Sequence, residues 1–109
     1  MADIRRSKAF RTLKKSMVES LEARGLCEDI YRDKVEEYME FWARKQELAE
    51  DIRERGLSVY DDRGRLTENR SVSLEIQVSR QMLAIFTALG FKDDAAKGKL
   101  GGGFDDDEL

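Results

Sequence analysis

The chain has 109 residues, enough for one small domain, with 39% charged and 40% hydrophobic residues. It has no histidine and one cysteine, Cys27, which removes the commonest general base and the usual zinc ligand sets and suits a reducing, cytoplasmic compartment. The net charge of −3 conceals an asymmetry. Residues 1–15 carry six basic groups against the single acid Asp3, residues 16–91 carry eleven basic and sixteen acidic groups, and residues 92–109 carry three basic and six acidic. A basic head and an acidic tail suggest two different partners. No phosphate-binding glycine loop, signal peptide or membrane-length apolar run is present, so composition points away from catalysis and cofactors and towards binding or assembly.

Asp3 to Arg24 reads as a helix with Phe10, Leu13, Met17 and Leu21 on one stripe and Lys8, Arg11 and Lys15 opposite. Ser7 is the expected N-cap, leaving Arg5 and Arg6 in a mobile arm. Arg5, Arg6, Lys8, Arg11, Lys14 and Lys15 are the candidate DNA-binding residues, because clustered cations neutralise backbone phosphates and release counterions. The same charges would also serve a merely solvated helix face. Arg24-Gly25-Leu26 is a helix stop, and Cys27 is the expected N-cap of the next helix, with Glu28 and Asp29 facing its positive dipole end.

Glu28 to Arg55 runs without a breaker and forms the central helix, roughly 40 Å long at about 1.5 Å per residue. Tyr31, Val35, Tyr38, Trp42, Ala49 and Ile52 make its apolar stripe, with Phe41 and Leu48 beside them; Asp33, Glu36, Glu40, Arg44, Glu47, Asp51 and Glu54 make the opposite face, expected to be solvated. The aromatics read as core or subunit anchors, since they lie on an acidic helix and not beside bases. Gly56 ends this helix. Leu57–Tyr60 and Arg65–Thr67 flank Asp61-Asp62-Arg63-Gly64, a β-hairpin signal in which the two carboxylates do turn chemistry and do not bind metal.

Asn69 or Ser71 should cap the last helix, Arg70 to Leu89. It shows two adjoining apolar stripes: Val72, Ile76, Ser79, Leu83 and Phe86, and Leu74, Val78, Met82, Ile85 and Leu89. Together they exceed what a surface helix needs. Antiparallel packing on the central helix uses part of that surface, and the surplus predicts an oligomer. Tyr38, Phe41, Trp42, Leu74, Val78, Met82 and Ile85 are the candidate interface residues. Residues 92–109 are glycine-rich and acidic and are expected to be disordered. Phe104, Asp105, Asp106, Asp107, Glu108 and Leu109 read either as a solvated end or as a linear motif for a basic partner. The expected architecture is mainly α: a basic N-terminal helix (1–24), a helix–β-hairpin–helix oligomerisation core (25–91) and a flexible acidic tail (92–109), in an oligomeric helical assembly.

The order of landmarks resembles the short small-terminase proteins of tailed phages. They are Arg24-Gly25-Leu26; Tyr31, Val35, Tyr38 and Trp42 on the long helix; Gly56; Asp61 to Gly64; Asn69; and Leu89-Gly90-Phe91. The family usually has Pro where this chain has Arg70, and larger relatives carry a helix-turn-helix where this chain has one basic helix. The resemblance implies a non-catalytic, ring-forming homo-oligomer that recognises double-stranded viral DNA and acts with a large ATPase and nuclease subunit. Phe104 to Leu109 would then be the large-subunit contact. From the residues alone, a helical oligomerisation or adaptor protein without nucleic-acid binding is the alternative.

Overall fold

The structure is a computed structural model and describes residues 3–91. A single 3-10 turn, Ile4–Arg6, leads into α1 (Lys8–Ala23). The long α2 (Asp29–Arg55) follows, then β1 (Ser58–Tyr60) and β2 (Leu66–Glu68), and then α3 (Arg70–Ala88). The mainly helical architecture, with its long central helix and short hairpin, is the one expected from the sequence.

The helix ends follow from local chemistry. Ser7 is extended (ψ 155°), and its hydroxyl accepts the Phe10 N–H, so the first segment is a turn and a helix and not one helix from Asp3. Both α1 and α3 close in the same way. Gly25 and Gly90 take positive φ (77° and 80°), and the amides of Leu26 and Phe91 reach back to the Leu21 and Phe86 carbonyls. The expected cap at Cys27 is corrected: α2 starts one residue later. Glu28 holds the N-cap position without a side-chain bond, and Cys27 is exposed. Asp29 sits in the first turn, where its charge meets the helix dipole.

The core lies where α1 and α3 meet the first half of α2. Met17 and Leu21 of α1, Val35 and Met39 of α2, and Ile85 and Leu89 at the end of α3 bury one another. The basic N-terminal helix therefore shares the core. On α2 the deepest positions are Val35, Met39 and Ala43, each four residues after the last. Met39 and Ala43 were not on the expected stripe. Two flanking helices, not one, cover α2, so its centre of burial lies between the two contact faces while Tyr31, Tyr38, Phe41 and Trp42 sit at the margins, half-buried.

Helix α3 runs antiparallel to α2, as expected. Tyr38 stacks near Phe86 at one end (centroids 6.2 Å apart), and Asp51 meets Ser71 at the other. The chain reverses between them through the antiparallel hairpin, registered Ser58↔Glu68, Val59↔Thr67 and Tyr60↔Leu66. Asp61 builds the turn: its carboxylate accepts the N–H groups of Arg63 and Arg65 at 2.9 Å each. These bonds, the one from the Arg65 amide first, hold its carboxyl below the usual range.

A polar knot fixes the corner. Asn69 is fully buried and caps α3 by accepting the Ser71 N–H at 3.0 Å. Its amide donates to the Gly56 carbonyl (3.0 Å) and to Asp51 (3.2 Å). Ser71 donates its hydroxyl to the same Asp51 oxygen at 2.6 Å, and Arg55 pairs with Asp51 through two nitrogens at 2.7 and 2.9 Å. The expectation that Asp51 belongs to a solvated face is corrected: it is the acceptor around which α2, the hairpin and α3 are tied.

Candidate nucleic-acid interface

The six cations of the first fifteen residues divide into two groups. Arg5 is not in a mobile arm. Its guanidinium holds Glu40 through two nitrogens (2.9 to 3.2 Å) and Glu47 through a third (3.2 Å), with Asp3 at 3.5 Å. The hydrogen bond to Glu40 is the main reason that Arg5 is still harder to deprotonate than usual, and it lowers Glu40 in turn. Lys14 pairs with Glu36 at 2.5 Å. Between these two sites Phe10 packs edge-on against Trp42, ring centroids 5.9 Å apart. Antiparallel packing of α1 on α2 brings this about: Glu36, Glu40 and Glu47 lie along one line of α2, and the bases meet them in reverse order.

Arg6, Lys8, Arg11 and Lys15 form the second group, all exposed. Among the described residues Arg6, Lys8 and Arg11 have no carboxylate partner, and Lys15 has only Glu19, one turn on at 4.0 Å with both side chains largely in water. Such a pair is worth little. Arg11 also donates to the Arg6 carbonyl at 2.8 Å, which ties the turn to the helix. Lys8, Arg11 and Lys15 recur at three and four residues and cover about 10 Å of helix. This surface can receive a row of anionic oxygens.

The candidate interface residues also divide. Met82 and Ile85 are buried in the chain's own core, because their stripe of α3 faces α2; they are not free to meet another subunit. Tyr38, Phe41, Trp42, Leu74 and Val78 are half-buried. The apolar surface left in water is elsewhere: Ile76 and Leu83, two turns apart on α3, Leu57, Tyr60 and Leu66 around the hairpin, and Ile30 in the first turn of α2, all between half and three-quarters exposed. Phe104, Asp105, Asp106, Asp107, Glu108 and Leu109 lie outside the described residues. No group of three His, Cys, Asp or Glu side chains among the described residues could hold a metal ion, and no described helix is long and apolar enough to cross a membrane.

A family model described as the phage terminase small subunit matches residues 12–102. The chain belongs to that family. Neither the curated proteins nor the solved structures gave a match. The match begins at Thr12, after Arg5, Arg6, Lys8 and Arg11, and ends at Gly102, before Phe104.

The structure explains why the terminase-like landmarks go together. Arg24, of the first, donates to the Leu89 carbonyl of the last at 2.8 Å and lies over the Phe91 ring at 5.1 Å. The end of α1 thus caps the end of α3. Asn69 and Gly56 meet in the corner knot, and Asp61 and Gly64 build the hairpin turn. The sequence places Arg24 in a helix stop but does not disclose its tie to Leu89 and Phe91, nor the structural roles of Asp51 and of the Arg5 ion pairs. The available signal for the last was the line of Glu36, Glu40 and Glu47 opposite an almost acid-free basic segment.

Proposed function

We propose that this terminase small subunit is a non-catalytic, ring-forming DNA-recognition component that acts on double-stranded viral DNA together with a large ATPase and nuclease subunit. Family membership supports the packaging role. The observation that carries DNA contact is the exposed row of Arg6, Lys8, Arg11 and Lys15, cations without strong partners at the head of α1. Arg5 and Lys14 are held by carboxylates and contribute less in this conformation.

The assembly is the second part of the reading. Ile76, Leu83, Leu57, Tyr60 and Leu66 are large apolar groups left in water by a single copy, and contact between copies would cover them. The half-buried Tyr38, Phe41, Trp42, Leu74 and Val78 would border that contact. Phe104 to Leu109 remain the proposed contact for the large subunit.

Two measurements test this. Binding of duplex DNA should weaken with salt with a log–log slope near 3.6 for four cations, about a 150-fold loss between 50 and 200 mM per engaged chain. Six contacts would give about 2,000-fold. Native mass should show a defined multimer, and replacing both Ile76 and Leu83 with Glu should dissociate it with helicity kept. A salt-insensitive affinity, or none at low salt, removes the DNA role and leaves an oligomerisation or adaptor protein.

A further inference from the structure

We infer that the line of Glu36, Glu40 and Glu47 on α2 acts as an internal phosphate surrogate: it latches Arg5 and Lys14 in the free protein and yields them to DNA on binding. The inference rests on the DNA reading of α1 and adds an autoinhibitory contact to it.

Arg5 is the clearest case. Its guanidinium is engaged in the fork geometry that Arg also uses on phosphate: two nitrogens on Glu40 and a third on Glu47. These bonds cross from the N-terminal turn to the middle of α2, thirty-five and forty-two residues away, so they are tertiary contacts and not helix decoration. The Arg5 side chain is 30% exposed and those of its glutamates are half exposed. Water and salt therefore reach the latch, and its net worth is small. Phosphate oxygens can replace the carboxylates without stranding a buried charge.

The packing under the latch is divided in the same sense. The second half of α1 is anchored by Met17 and Leu21, which are almost fully buried. The first half is held only by half-buried groups, Leu13 against the core and Phe10 against Trp42, between the two ion-pair sites. The head of α1 is the part that can shift while its root stays fixed. Release of Arg5 and Lys14 would extend the row of Arg6, Lys8, Arg11 and Lys15 from four cations to six. DNA would have to displace the glutamates first, and this lowers affinity for any short or weakly charged strand.

The test compares the full-length wild type with a triple variant, Glu36→Gln, Glu40→Gln and Glu47→Gln, and with a charge control, Glu28→Gln, Asp33→Asn and Glu54→Gln. The control acids lie on or beside α2 and have no basic partner among the described residues. Both variants change the net charge equally. Circular dichroism checks that helicity is kept. Duplex DNA is titrated from 20 to 300 mM salt. The triple variant should bind about threefold to tenfold more tightly than the control at low salt, the summed worth of a few exposed ion pairs, and its log–log slope should rise by up to about 1.8 for two more phosphate contacts. On the wild type, DNA should make Trp42, the single tryptophan, more open to acrylamide quenching as Phe10 moves. If the triple variant binds no better than the control, with the same slope, the latch is refuted and the DNA reading stands. If no form binds at 20 mM salt, the DNA reading itself fails. Binding by the triple variant alone would mean that the latch closes the site completely.

Discussion

Replacing Asn69 with Ala tests the corner that ties α2, the hairpin and α3. Four side-chain bonds are lost at once, the weakest of them the long one from Arg55 at 3.3 Å. The α3 cap to the Ser71 N–H disappears, at a cost of about 1 kcal/mol. The Gly56 carbonyl loses the amide donor at 3.0 Å, and an under-satisfied buried group of this kind costs about 1–3 kcal/mol. Asp51 keeps Ser71 and Arg55 but loses its third donor. Together the expected loss is roughly 2–4 kcal/mol, a shift in Tm of about 10–25 °C for a domain of this size. Urea unfolding followed by Trp42 emission and by circular dichroism, at one fixed protein concentration, measures it. Asn69→Asp keeps the capping oxygen but puts a carboxylate where the amide faces Asp51 at 3.2 Å. It should be poorly tolerated at pH 7 and partly recover as the pH falls and the pair takes up a proton. A loss below about 0.5 kcal/mol for Asn69→Ala, the range of neutral surface changes, would refute the reasoning and show that the corner is held by helix packing alone.

Asp51 predicts an acid limit. Arg55 first, then Ser71 and Asn69, hold its carboxyl well below the usual range, so the folded group binds its proton more weakly than the unfolded one. The stability it contributes is therefore complete above the ordinary carboxylate range, about pH 4, and drains away as the pH falls below it. Asp51→Asn should flatten that limb of a pH–stability curve. Gly90 has positive φ, and a Cβ there would lie 2.7 Å from the Arg24 Nη1. Gly90→Ala should cost roughly 1–2 kcal/mol from backbone strain alone, and more with Arg24 present. In an Arg24→Ala background the extra cost should vanish, so a thermal double-mutant cycle should be non-additive; strict additivity would mean that the two do not touch. Asp61→Ala should lower Tm by loosening the hairpin turn, with little change in helicity. Because the Asp61 carboxylate is spent on two backbone amides, Mg²⁺ should not shift Tm.

Much of the fold is readable in local chemistry. Ser7, Gly25, Gly56, Asn69 and Gly90 set helix ends through caps and left-handed turns that involve residues only a few positions away. The turn at Asp61 to Gly64 is equally local. The basic character of residues 1–15 is plain from composition, and so is the amphipathic pattern of α2 and α3. Where the reading missed, the cause was a partner distant in the chain. Periodicity gives the direction of a helix's apolar face but not how many neighbours cover it, so Met39 and Ala43 lay outside the expected stripe although they are the best-buried positions of α2 with Val35. Likewise, Met82 and Ile85 serve as core and Ile76 and Leu83 remain outside, a choice that depends on how α3 is rotated against α2.

The helical segments, the hairpin, the charge division and the likeness to small terminases can all be read along the chain, because each rests on neighbouring residues or on an ordered set of landmarks. Which charges are available depends instead on how the helices pack. Arg5 lies thirty-five residues from Glu40, and Asp51 eighteen from Asn69. No local pattern states whether such groups face water or each other; antiparallel packing of α1 and α3 on α2 does, by bringing distant side chains within hydrogen-bond reach.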